Sequence, residues 1–186
     1  MEIKKNEPVA KVVADNNWDM LKCSIHPELQ KMLVEQMSHE LYNHNLYTSF
    51  ANFYAINGLD KFSKYYSARA QEEYNHYLWC VNFANECCMQ YTTPSIDAIS
   101  EKWDNFIKPF ELTVDVEIET TEMIYDMADK AREIGDYIFF QWLNKPGLLI
   151  DEQNEEMSLS RKAYEIMQLD DSILAKQDAI ENLYGN

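Results

Sequence analysis

The chain has 186 residues and sets 32 acidic side chains against 16 basic ones, a formal net charge of −16. That balance argues against nucleic acid and anionic membranes as partners, since both need a basic surface, and favours solubility or the attraction of cations. No apolar run reaches the roughly 20 residues of a membrane span, and the first 18 residues lack the apolar core of a secretory signal. In chain order, residues 1–25 read as an N-terminal extension and 26–186 as one helical domain. A first helix is predicted over about 27–56, where Leu33, Met37, Glu40/Leu41, His44, Tyr47/Thr48 and Ala51 recur at helical spacing. Pro27 suits its first turn, and Gly58 its end. A second follows over about 60–88, with Phe62, Tyr66, Arg69/Ala70, Glu73, His76/Tyr77, Cys80 and Ala84 on one side. The short connection between them makes the two antiparallel neighbours.

The next connection, about 89–107, contains Pro94 and is long enough to cross a bundle, so the second and third helices are expected to run parallel. The third helix, about 108–134, aligns Val114, Glu117, Thr121, Ile124 and Ala128, and Gly135 marks its end. The fourth ends near 168 and aligns Leu149, Gln153, Glu156, Ser160, Ala163 and Met167. Proline inside a helix costs roughly 3 kcal/mol or more. Pro146 and Gly147 therefore predict a break at about 144–147, with the helix either starting at Pro146 or kinked there. A short segment, about 172–183, closes the chain near Gly185. The four cysteines, Cys23, Cys80, Cys87 and Cys88, form no CxxC pair and read as reduced core thiols of a cytoplasmic protein.

Each long helix thus carries an ionisable or amide side chain on its apolar stripe: Glu40, then Glu73 with His76, then Glu117, then Gln153 with Glu156. Buried charge needs compensation. Residues three apart share a helix face, so Glu73 and His76 can address one point. Carboxylates with an imidazole suit iron or manganese without thiolates. Bland readings stand beside this one. Glu-x-x-His is common on wet helix faces, Glu40 can be a rim residue, and Glu117 sits in the acidic run DVEIETTE, which can be a solvated face. His39 and His44 read as ordinary surface or core histidines.

At EQMSHELYNHNLY, AQEEYNHY, VEIETTEMI, FFQW and DEQNEE the sequence resembles the bacterial non-haem ferritins, over about 27–183. The resemblance implies an all-α, ferritin-like four-helix bundle with a long crossover between the second and third helices and a short fifth C-terminal helix. It implies a di-iron ferroxidase centre for Fe(II) and Fe(III) within each subunit. Glu40, Glu73 and His76 would form a first iron site, and Glu73 would bridge to a second completed by Glu117, with Glu156 nearby and Gln153 positioning oxygen or a water. Glu72, Glu152 and Glu155, sharing Glu156, match the ligands of a third iron. Tyr47 matches a tyrosine that can supply an electron, and Trp142 a tryptophan near the same region. It further implies a homo-oligomeric shell of twenty-four subunits that stores iron as hydrated oxide, with oxygen or peroxide as oxidant. Haem is not expected, because a second Glu-x-x-His on the fourth helix is missing. Two departures mark the chain: the segment with Pro146 and Gly147 is longer than the family pattern by about one turn, and residues 1–25 have no counterpart. A shell with an impaired or atypical centre, and a di-iron oxidoreductase that stores nothing, are the alternatives.

Overall fold

A computed structural model describes residues 23–184; the expected extension over 1–25 lies outside them except for 23–25, as does Gly185. Six helices and no strand are found among the described residues: α1 (Pro27–Ile56), α2 (Asp60–Glu86), α3 (Lys108–Ile134), α4 (Tyr137–Leu143), α5 (Leu149–Gln168) and α6 (Ile173–Tyr184). None is long and apolar enough to cross a membrane.

Two apolar clusters fix the direction of every long helix. One gathers Leu29, Leu33 and Met37 from the start of α1, Cys80 and Ala84 from the end of α2, Ile124 and Ala131 from the end of α3, and Leu149 from the start of α5. The other gathers Phe50 and Tyr54 from the end of α1, Phe62 and Tyr66 from the start of α2, Phe110 from the start of α3, and Met167 from the end of α5. Hence α1 and α5 run one way, and α2 and α3 run together the other way. Residues 87–107 make the long crossover between α2 and α3. It is pinned along α1: Trp103 packs edge-on against Phe50 at 4.8 Å and donates its indole N–H to Ser49 at 3.0 Å. Tyr54 donates its hydroxyl to the Phe106 carbonyl at 2.7 Å.

The chain punctuates its helices with local chemistry. Pro27 and Pro109 fall in first turns, where a missing N–H costs nothing. Gly135 takes φ +82° and closes α3, a left-handed conformation that a side chain would strain. The predicted break is present: α4 ends at Leu143 and α5 begins at Leu149, past Pro146 rather than at it. Gly147, at φ +70°, turns the chain there and donates its N–H to Asp151 at 3.0 Å. α2 has no capping side chain of its own at its start. Instead Gln177 of α6 accepts the Lys61 N–H at 3.1 Å, which ties the short last helix to the bundle.

Asp136 caps α4 through the Phe139 N–H at 3.1 Å and also accepts the His26 N–H at 3.2 Å, joining the start of α1 to the α3–α4 corner. Asp136→Ala removes both bonds. The expected loss is about 1–2 kcal/mol, read as a fall of a few degrees in the thermal midpoint of the metal-free protein. An unchanged midpoint would show that the corner is held by packing alone.

Candidate metal centre

Between the two apolar clusters lies a belt of buried polar side chains: Gln36, Glu40 and Asn43 from α1, Arg69, Glu73 and His76 from α2, Glu117 and Thr120 from α3, and Gln153, Glu156 and Ser160 from α5. Helical periodicity aims these positions inward, while the apolar residues one or two turns away bury them. Where the apolar stripe and the belt compete, the polar residue goes inside. Asn43 and Thr120 are buried, whereas His44 and Thr121, placed in line by periodicity, are half-buried. The His44 ring bonds to the Ala70 carbonyl at 2.7 Å, and the His39 ring to the Thr120 hydroxyl at 2.8 Å.

The belt brings together the side chains that the sequence singled out on all four long helices. Glu40, Glu73 and His76 place one ligand atom each within 4.8 Å of one another, and so do Glu73, Glu117 and Glu156. His76 Nδ1 lies 3.8 Å from Glu40 and 3.9 Å from Glu73, and its Nε2 lies 3.8 Å from Glu156. Gln36 donates to Glu40 Oε1 at 2.7 Å, and Asn43 reaches Glu73 Oε2 at 3.5 Å. Glu40 Oε2, Glu73 Oε1 and Glu156 Oε2 are buried without a hydrogen-bond partner. Buried carboxylate oxygens are costly to leave unpaired, so the donor set fits a hard or borderline divalent cation.

Glu72, Glu152, Glu155 and Trp142 stand apart from these groups. Glu72 is half-exposed and turns to Arg69 at 2.9 Å. Glu152 is half-buried and Glu155 exposed. Neither these two nor Glu72 joins a cluster of ligand spacing among the described residues. Trp142 stacks on Phe83 at 4.2 Å within the first apolar cluster, and the tryptophan beside the belt is Trp79, 4.9 Å from the His76 ring. Gln153 donates its amide to Glu117 Oε2 at 2.8 Å, and Tyr47 donates its hydroxyl to Glu117 Oε1 at 2.7 Å.

Arg69 is the member whose role periodicity did not reveal. It was visible on the inner stripe, one turn before Glu73, but a stripe gives a direction and not the reach of a long side chain. Its guanidinium lies 2.6 Å from Glu117, 2.7 Å from Glu156 and 3.5 Å from Glu73, with the side chain 2% exposed.

These neighbours set the charge states. Burial favours neutral His76, but the carboxylates of Glu40 and Glu156 outweigh it and raise the imidazole to about 9. Burial also works against the charge on Glu40, and the His76 imidazolium reverses this to hold Glu40 below the usual carboxylate range. Glu73 is pushed well up by burial and by the charges of Glu117, Glu156 and Glu40. Glu156 rises to about 7, mainly by burial, against the pull of Arg69. Both numbered shifts favour the protonated group in the folded state. The His76 contribution to stability is therefore full below pH 6.5 and lost as pH rises through 9. That of Glu156 is full below pH 4.5 and lost as pH rises through 7. The metal-free protein is expected to lose a few kcal/mol between pH 6.5 and 9.5. Thermal or urea melts at the two pH values measure this; a stability that rises over that range contradicts the assigned charges.

Four long helices running in these directions, with a crossover between the second and third and a buried carboxylate–imidazole belt at mid-length, make a ferritin-like bundle. The ferritin-like domain matches residues 30–165, and the chain belongs to that family. A bacterial non-heme ferritin of Campylobacter jejuni is 28% identical over 134 residues, which are 72% of this chain and 78% of the relative. One of Staphylococcus aureus is 25% identical over 131 residues, 70% of this chain and 77% of the relative. Among solved structures, a ferritin of Chlorobium tepidum superposes with a TM-score of 0.75 at 22% identity, covering 85% of this chain and 97% of its own. A humanized archaeal ferritin gives 0.78 at 22% identity, covering 86% and 96%.

Proposed function

We propose that this chain is the subunit of an iron-storage shell, that it oxidises Fe(II) at the buried belt, and that Fe(III) is then held as a hydrated oxide inside an assembly of twenty-four copies in the cytoplasm. The observation that carries this reading is the set of buried carboxylate oxygens without hydrogen-bond partners, on Glu40, Glu73 and Glu156, grouped around His76. Relatives that bear the name ferritin support it. Glu40, Glu73 and His76 hold the first ferrous ion, and Glu73, Glu117 and Glu156 surround a second position, with Gln153 orienting Glu117. Each Fe(II) gives up one electron, and oxygen or peroxide accepts it. Anionic oxygen ligands stabilise the harder ferric product, so they favour oxidation as well as binding. The Tyr47 hydroxyl donates to Glu117, which supports a role for Tyr47 in lending an electron to the centre. Exposed Ile56, Tyr137, Ile138 and Leu174 offer apolar surface for contacts between copies.

The test is aerobic addition of Fe(II) to the metal-free protein at tens of ions per chain. Iron that stays in solution and co-migrates with a large assembly supports storage. Iron that precipitates as it does without protein, from a chain that runs as a monomer or dimer, sinks it. A specific observation also favours a second reading, a shell with an atypical centre: Arg69 already lies against two of the second position's carboxylates.

A further inference from the structure

We propose that Arg69 is a built-in cation that fills the second position of the centre, so that the resting protein holds one divalent ion tightly per chain, at Glu40, Glu73 and His76. This rests on the reading of the belt as a metal centre.

The hydrogen-bond accounting separates the two positions. Both oxygens of Glu117 are taken: Oε1 by Arg69 at 2.6 Å and Tyr47 at 2.7 Å, Oε2 by Gln153 at 2.8 Å. Glu156 Oε1 is taken by Arg69 at 2.7 Å. A metal at the second position would have to share Glu117 with three donors, and would find a free oxygen only on Glu73 and Glu156. Around the first position, Glu40 Oε2 is free of hydrogen bonds and its second oxygen is oriented by Gln36.

Charge leads to the same result. Four buried carboxylates, Glu40, Glu73, Glu117 and Glu156, face each other across the belt. With neutral His76 and the Arg69 guanidinium, one divalent ion leaves the belt one net negative charge, and a second turns it net positive by one. A second divalent ion would sit beside a guanidinium that remains charged at any workable pH, and like charges at a few ångströms repel strongly away from bulk water.

The guanidinium also has somewhere to go. A cleft of about 280 Å³ between α2 and α6, lined by Lys64, Tyr65, Arg69, Glu72 and Tyr184, opens on the outer side of the side chain. Glu72, half-exposed, already accepts from Arg69 Nη1 at 2.9 Å. A second ion therefore binds only as Arg69 swings outward onto Glu72, which makes occupancy of the second position conditional on this side chain.

The experiment counts and locates ions. Metal-free protein is crystallised with Co²⁺, and anomalous peaks are read in wild type; Zn²⁺ bound per chain is counted in parallel for wild type, Arg69→Met and Arg69→Lys. The proposal expects one wild-type peak among Glu40, Glu73 and His76, and none between Glu117 and Glu156. It expects one tight Zn²⁺ per chain in wild type and in Arg69→Lys, and two in Arg69→Met. Two full peaks in wild type overturn it, and this arm needs no variant to fold. Equal counts in wild type and Arg69→Met overturn it too. Two ions in both would leave the metal centre standing, and none in either would remove the centre along with the proposal.

Discussion

Glu73→Ala is expected to slow aerobic Fe(II) oxidation, at about two ions per chain, by roughly 100-fold or more relative to wild type in the same assembly state. Changes that only reorient a metal ligand typically cost about 10–100-fold, and Glu73 is the one carboxylate that belongs to both groups of ligand spacing. Its removal opens the Glu40–His76 position and the Glu117–Glu156 position at once. Stability should move differently from activity. Burial and the charges of Glu117, Glu156 and Glu40 work against the ionised form of Glu73, so taking the carboxylate away removes that cost. The metal-free variant should melt no lower than wild type beyond the cost of the cavity, and Glu73→Gln, which keeps the volume, should melt at or above it. A variant that oxidises Fe(II) at the wild-type rate would move the chemistry elsewhere. A loss of rate that tracks a loss of assembly would mean that the residue acts through the fold.

Glu117→Ala should produce the largest loss of stability among the belt residues, about 3–5 kcal/mol, the usual cost of leaving a buried charge without its partner. The reason lies in how many donors converge on one carboxylate. Arg69, Tyr47 and Gln153 all give hydrogen bonds to Glu117, and each is buried. Without it the guanidinium keeps Glu156 and Gln153 keeps the Glu117 backbone carbonyl at 3.2 Å, but the buried Tyr47 hydroxyl loses its acceptor. For a chain of this length that corresponds to a fall of roughly 10 °C or more in the melting midpoint of the metal-free protein. The double variant Glu117→Ala with Arg69→Met should recover part of the loss, because the guanidinium that has lost its shortest ion pair goes too. If Glu117→Ala costs under about 1 kcal/mol, the guanidinium is not held there in solution.

Much of the architecture was legible from punctuation and period. With few prolines and glycines, the positions of Pro27, Gly58, Pro109, Gly135, Pro146 and Gly147 delimit α1 through α5 closely. The stripe Leu149, Gln153, Glu156, Ser160, Ala163 and Met167 is buried throughout, so even the helix after the break keeps its predicted face. Less legible was anything that depends on neighbours across the bundle. A helical period cannot choose between Thr120 and Thr121, because both lie near the boundary of the face; Thr120 is drawn in as the partner of His39 and Asn43. Glu72 follows Arg69 by three residues, which already allows the ion pair that diverts it, but the same spacing fits a second acidic cluster equally well. Glu152 and Glu155 each precede an inward residue by one position, a rotation of about 100° on a helix, which leaves them at the edge or outside.

The interruption at 144–148 also bears on how the length of this chain can vary. In one continuous helix, every inserted residue turns all that follows by about 100°, so an insertion before Gln153 and Glu156 would sweep both out of the belt unless it came in whole turns. Here the phase of α5 is set afresh after the gap, by Leu149 locked into the apolar cluster and by Asp151 holding the Gly147 N–H. Additions or deletions in the gap alter a loop and leave the angular register of the two inward side chains untouched. The linker works as a slip joint: it absorbs differences in chain length that would otherwise have to be matched by the whole second half of the bundle.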